Sequence, residues 1–208
     1  NTFNTAVGSA AGSAVTTGVQ NSLIGGAAGD ALTDADNNVA LGFASLTTDT
    51  LGSNSTAVGY LTLSAQNFTT ATNSFNTAVG ASAGANVTTG IENTLIGGTS
   101  GDAITTGSYN STLGGASLTT NILSSHNVAV GQSALFTHNT ATAVSGFNVA
   151  VGSGAGALLT TGIQSTLIGG GAGDALTSSN NSVAVGFGAL SGNTVSSSNV
   201  AIGTRALE

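Results

Sequence analysis

Twelve glycines divide the chain at fixed intervals: Gly8, Gly25, Gly42, Gly59, Gly80, Gly97, Gly114, Gly131, Gly152, Gly169, Gly186 and Gly203. The spacing is 17, 17, 17 and 21 residues, and the series then starts again, so one round spans 72. Each glycine closes a copy of Asn-x-small-aliphatic-Gly, as in NTAVG, NSLIG, NVALG and NVAIG. Self-similarity at a fixed short period is the signature of a solenoid, in which each repeat cannot bury its own apolar face and must stack on its neighbours. The longer echo comes from the same rule. NSLIGGAAGDA at 21–31 returns as NTLIGGTSGDA at 93–103 and STLIGGGAGDA at 165–175. The chain is therefore read as one repeat array over 1–208, in cassettes 1–72, 73–144 and 145–208. The last cassette stops eight residues short of 72, which reads as part of a longer array.

The runs between glycines are four to five residues long, rich in Val, Ile and Thr, and bounded by Gly and Asn. That length and composition predict strands, because helices need longer uninterrupted runs. The expected fold is all-β: a β-solenoid or β-roll of about twelve coils of 17 to 21 residues. At about 4.8 Å per coil the rod is roughly 55 to 60 Å long. The aliphatic just before each glycine is read as the core position, and the Ala, Ser or Thr three residues after it as a tight position. Four residues after the glycine, Gly and Leu alternate in pairs of coils (Gly12, Gly29, Leu46, Leu63, and so on). The Asn four residues before the glycine, replaced by Ser55, Ser165 and Ser182, is suited to a turn bond or a ladder from coil to coil. The glycines themselves are expected to supply positive φ or close backbone approach.

Composition limits the functions. Only 4% of residues are charged and the net charge is −7, with Arg205 the sole Lys or Arg. A phosphate backbone needs a cationic footprint, so nucleic acid is not an expected partner. With no cysteine there is neither a disulfide framework nor thiol chemistry. No apolar run is long enough to span a membrane, so no membrane insertion is expected within this segment.

Each coil carries only two or three sizeable apolar side chains, a thin core against the entropy of ordering 17 residues. A second interface is therefore expected. The small residues, Ala two before and three after most glycines, are read as letting several chains wind closely about a common axis, and a homotrimer follows.

The N-[TSV]-A-[VI]-G pattern resembles the head repeats of trimeric autotransporter adhesins. With Thr16-Thr17-Gly18, Thr88-Thr89-Gly90 and Thr160-Thr161-Gly162 between strands, the 17-residue unit is also similar to repeats in bacteriophage tail fibres and tail-fibre-like adhesins. The resemblance covers nearly the whole chain and implies a trimeric left-handed β-roll or solenoid shaft. Such a shaft stands outside the cell or virion, at the cell surface or on a virion tail, and holds binding tips at a distance. The coil length and the four-residue insertion in every fourth coil depart from the adhesin head pattern.

Candidate sites follow from the columns. Asp30, Asp102 and Asp174 occupy equivalent places in GGxxGD; they are read as turn or capping carboxylates, with calcium as the alternative. GGAAGD and GSGAGA lack the Lys and the helix of a phosphate loop. His126 and His138 are read as solvated or turn residues. Phe3, Phe75 and Phe147 are expected to be packing anchors. Phe43, Tyr60, Tyr109 and Phe187 are expected to point outward as surface glycan contacts. The long coils, at 67–75 and 138–147, are the expected place for a receptor-contacting loop, since insertions map to one face of a solenoid.

The leading expectation is an extracellular structural and adhesive fibre segment that presents or contributes to receptor binding, the receptor a glycan or a protein. An ice-binding solenoid is the alternative, favoured by low charge and ranks of Thr, although TT pairs occur only in some coils. A polysaccharide-degrading tailspike would need paired carboxylates, and those here are isolated, so this segment is expected to be no enzyme and to need no cofactor.

Overall fold

A computed structural model describes residues 3–208 and shows an all-β parallel solenoid of about twelve coils. The coils contribute β1 (Thr5–Val7), β2 (Ser22–Ile24), β3 (Val39–Leu41), β5 (Thr56–Val58), β7 (Thr77–Val79) and β8 (Thr94–Ile96). The series continues with β9 (Ser111–Leu113), β10 (Val128–Val130), β11 (Val149–Val151), β12 (Thr166–Ile168), β13 (Val183–Val185) and β14 (Val200–Ile202). These twelve form one parallel sheet in sequence order. Two further strands, β4 (Gly52–Ser53) and β6 (Thr72–Asn73), pair separately beside the first long coil. The twelve strands of the main sheet are three residues long, shorter than the apolar runs led us to expect, because the glycine ends each one and the chain turns at once.

Register is strict. Ala6 pairs with Leu23 and Leu23 with Ala40, and the pattern survives the longer intervals, where Thr56 still meets Thr77 and Val128 meets Val149. Extra residues in a long coil are therefore looped out without disturbing the sheet. The motif glycine is required twice over. Gly42 sits at φ 140°, and a Cβ on it would run into the backbone of Gly59 in the next coil.

The asparagine column is a buried ladder. Asn21 Oδ1 accepts from the backbone N–H of Asn38 (2.9 Å), and its Nδ2 donates to the Ala35 carbonyl (2.7 Å). Asn93 repeats both bonds, to Asn110 N–H and the Gly107 carbonyl. One amide thus bonds two backbone groups of the next coil's turn, where water cannot reach the amide. Ser165 and Ser182 continue the ladder through their hydroxyls, which accept from Ser182 and Asn199 N–H.

The core differs from the sequence reading in one respect. The residue two before the glycine points inward: Leu23, Ala40, Ala57, Ala78, Leu95 and Ala129 are all fully buried. The aliphatic just before the glycine points outward, so it is not the core position. Alternation along a strand forces one or the other, and the interior of so narrow a coil admits mostly Ala. The small residues that suggested close winding of several chains are therefore spent on the coil's own interior, as Ala28, Ala83, Ala134 and Ala155 show.

Two columns compensate each other inside this core. A Cβ on Gly29 would meet Leu32 at 2.7 Å and Leu23 at 2.8 Å. Where the column four after the motif glycine is Gly, the column seven after it is aliphatic: Val15, Leu32, Val87, Ile104, Leu159, Leu176. Where it is Leu, the other column turns polar: Asp49, Gln66, Asn121, His138, Asn193. The leucines Leu46, Leu63, Leu118 and Leu135 fill the core at φ of 49° to 51°, a left-handed conformation that costs about 1–2 kcal/mol each.

Candidate interaction face

The outer side of the twelve-stranded sheet carries two straight ranks. One is the aliphatic before the glycine, Val7 through Ile202; the other, two residues earlier, mixes Thr, Ser and Val. Both ranks point out because Asn and Ala between them point in. Two more rows flank the ranks. On the N-terminal edge, five residues before the glycine, the chain turns at positive φ and presents Phe3, Phe75, Tyr109, His126 and Phe147 among polar residues. On the C-terminal edge, directly after the glycine, stand Phe43, Tyr60 and Phe187.

Among the described residues, fifteen of the twenty exposed large apolar side chains lie on these four rows. Of the Lys, Arg, Asp and Glu residues only Glu92 does so. The face is thus long, flat, apolar and nearly uncharged. Phe43, Tyr60, Tyr109 and Phe187 point outward as expected. Phe3, Phe75 and Phe147 are not packing anchors: they are 74%, 54% and 53% exposed, because their left-handed corner throws the side chain off the coil. Several rings use their faces on one another. Phe43 and Tyr60 stack with centroids 5.9 Å apart and planes at 15°, and His126 lies between Tyr109 (4.8 Å) and Phe147 (5.0 Å). His126 is exposed, and its ring belongs to this aromatic row.

His138 is different. It is fully buried rather than solvated, with Nε2 3.2 Å from Ser124 Oγ and Nδ1 without a hydrogen-bond partner. Burial pushes its imidazole down to about 4, and the backbone at Leu159 and Thr160 opposes this only in part. It sits at the base of the second long coil with Asn121, whose Oδ1 accepts from Ser124 N–H at 2.9 Å. The first long coil has Asp49 and Gln66 in those two places. Asp49, also fully buried, accepts from Gly52 N–H (3.0 Å), Phe68 N–H (3.2 Å) and Gln66 Nε2 (2.6 Å). Gln66 passes the network to Ser55 and Asn76. Beside the second long coil the surface opens into a cleft of about 320 Å³ lined by Thr140, Thr142, Val144, Thr161, Ile163 and Asn180.

The equivalent aspartates are each partly buried in their own turn, four coils apart, or about 19 Å at 4.8 Å per coil. Asp30 accepts from Thr47 Oγ1 at 2.6 Å. Asp102 is held above the usual carboxylate range by burial, opposed in part by backbone N–H groups of Asp102 and Ala103, and its Oδ1 has no partner. Among the described residues no three His, Cys, Asp or Glu side chains gather where they would hold a metal ion. No helix among the described residues is long and apolar enough to cross a membrane.

No known protein family, curated protein or solved structure matches the chain. The sheet face and the long coils are legible only in physical terms.

Proposed function

We propose that the chain is a segment of an extracellular, non-enzymatic adhesive fibre, a homotrimer whose three copies meet through the outer face of the sheet. The observation that carries this reading is the concentration of fifteen exposed apolar side chains on one face whose sole charged residue is Glu92. Twelve strands at about 4.8 Å, and seven residues across at about 3.3 Å, make a surface near 1,000 Å². A run of exposed apolar side chains along a surface of that size marks an interaction site, and shared between two neighbours it offers each about 500 Å². Each outward Val, Ile or Leu fully covered by another copy contributes up to about 1.5–3 kcal/mol. The aliphatic rank is continuous from end to end of the array, which fits a partner as long and as repetitive as the chain itself.

In this reading the sheet face is the inside of the fibre, and the turns, with their Thr, Asn and Ser, are its outside. The long coils then project the irregular loops, and the neutral cleft beside residues 140–144 is where a cell-surface glycan or protein receptor makes hydrogen-bonded contact. The resemblance of the repeat to adhesin heads and tail-fibre shafts, at a cell surface or on a virion, points the same way.

Ice binding competes for the same face, since Thr5 and Val7, Thr77 and Val79, and Thr94 and Ile96 stand in two flat outward ranks. The mass in solution separates the readings. Sedimentation at about three times 19.7 kDa supports the trimer and hides the face from ice. A folded monomer that shows thermal hysteresis at micromolar concentration overturns the fibre in favour of the ice-binding reading.

A further inference from the structure

The aliphatic rank offers Val, Ile or Leu at every coil, so it carries no information about how far one copy is displaced along another. The two aromatic edges do carry it. No coil bears a ring on both edges. Phe3 shares its coil with Ser9, Phe75 with Ala81, Tyr109 with Gly115, His126 with Gln132, and Phe147 with Ser153. Conversely, Phe43, Tyr60 and Phe187 share theirs with Asn37, Asn54 and Asn181.

We propose that these edges are a steric key: the N-terminal edge of one copy seats against the C-terminal edge of the next, coil against the same coil, so that each ring meets a small or polar residue. This rests on the side-by-side assembly proposed above and specifies its register. Of the nine axial offsets from four coils back to four coils forward, seven set at least one ring opposite another. Shifting one coil back sets Phe75 against Tyr60, and two forward sets Phe3 against Phe43 and Phe147 against Phe187. Only zero and one coil forward avoid every such pair. A shift of one coil at each contact accumulates to three coils around a trimer and cannot close, whereas a closed ring requires zero. The C-terminal rings are firmly placed for this role. Phe43 and Phe187 lean over Gly26 and Gly170 of the preceding coil, where a Cβ would meet the ring at 3.2 and 3.4 Å.

Cross-linking tests the key, and the chain has no cysteine to interfere. Glu92→Cys with Gly98→Cys marks both edges of one coil, on the order of 20 Å apart within a copy. That is far beyond the Cα separation of about 7 Å that a disulfide spans, so any bond formed joins two copies. The expected result is a covalent closed trimer on a non-reducing gel, while Glu92→Cys with Gln132→Cys, two coils out of register, stays unlinked. Bonding of the offset pair, or of neither pair in a protein that sediments as a trimer, overturns the key and leaves the fibre reading intact. A protein that sediments as a monomer overturns the fibre reading and the key with it. A second pair of variants uses no cross-link. Ala81→Trp sets a ring opposite Phe75 on an exposed site and is expected to lower the trimer fraction at least tenfold with an unchanged far-ultraviolet spectrum, and adding Phe75→Ala is expected to restore it. Assembly of Ala81→Trp at the wild-type level overturns the key.

Discussion

The two long coils accommodate the same four-residue insertion with different chemistry. In the first, a buried carboxylate at Asp49 gathers two backbone N–H groups and the Gln66 amide. In the second, Asn121 takes the carboxylate's place, and His138 takes that of the glutamine. The sheet register is unchanged across both. The geometry of the insertion therefore does not demand one set of residues. What both keep is an acceptor for one backbone donor, Gly52 N–H in the first and Ser124 N–H in the second. The difference lies in what each coil is sensitive to: the first in the loss of a heavily used acceptor, the second in protonation.

The largest effect is expected from breaking the first network. Asp49→Ala strands Gly52 N–H, Phe68 N–H and Gln66 Nε2 in a dry interior and is expected to cost about 3–5 kcal/mol, three buried donors at about 1–3 kcal/mol each, offset in part by no longer burying the carboxyl group. Urea unfolding of the variant measures it, and a loss below 1 kcal/mol would mean the network is incidental to the fold.

Acid acts on the second coil. The folded state holds the His138 pKa at about 4 against an ordinary 6.5, so it favours the neutral ring. This stability is whole above pH 6.5 and is lost as pH falls from 6.5 through 4. It amounts to about 3 kcal/mol overall, with about 2 of that gone by pH 5. Because a solenoid opens locally, hydrogen exchange at residues 138–147 is the measurement. Protection there is expected to fall between pH 7 and pH 5, and His138→Gln, which imports the residue of the first coil, is expected to abolish the fall. Identical profiles for wild type and His138→Gln would remove the histidine from the account.

The smallest effect sharpens the comparison. Asn121→Ala leaves one buried donor, Ser124 N–H, unpaired where Asp49→Ala leaves three, for an expected loss of about 1–3 kcal/mol by the same unfolding assay. Should it equal Asp49→Ala, the further donors gathered by Asp49 have no special weight.

The fold was legible because stacking in register forces the same residue type to the same place in every coil. Gly42 and its eleven counterparts, and the Asn21–Asn38 column, advertise themselves by period alone. The sidedness of the strands was not legible. In Val128-Ala129-Val130 all three positions are apolar, so alternation offers no polar residue to mark the outside, and the outward rank was read as the core. The exposed Phe75 and Phe147 were misread for a related reason: nothing in a column of mixed residues announces a left-handed corner. His138 was missed as a buried group because its partners lie 14 to 17 residues away and do not recur. One signal was present throughout. The columns four and seven after the glycine trade Gly for Leu and aliphatic for polar in step, and that antiphase places His138 and Asp49 inside the coil.

The sharing of Leu23 between Gly12 and Gly29 has a consequence for how such a chain changes length over evolutionary time. A single coil removed by recombination would leave a leucine with no glycine to lie against, or two bulky residues in one layer. A whole cassette can be duplicated or deleted without disturbing any neighbour. The smallest unit that can be added or removed with the core packing intact is therefore 72 residues, about 19 Å of the solenoid.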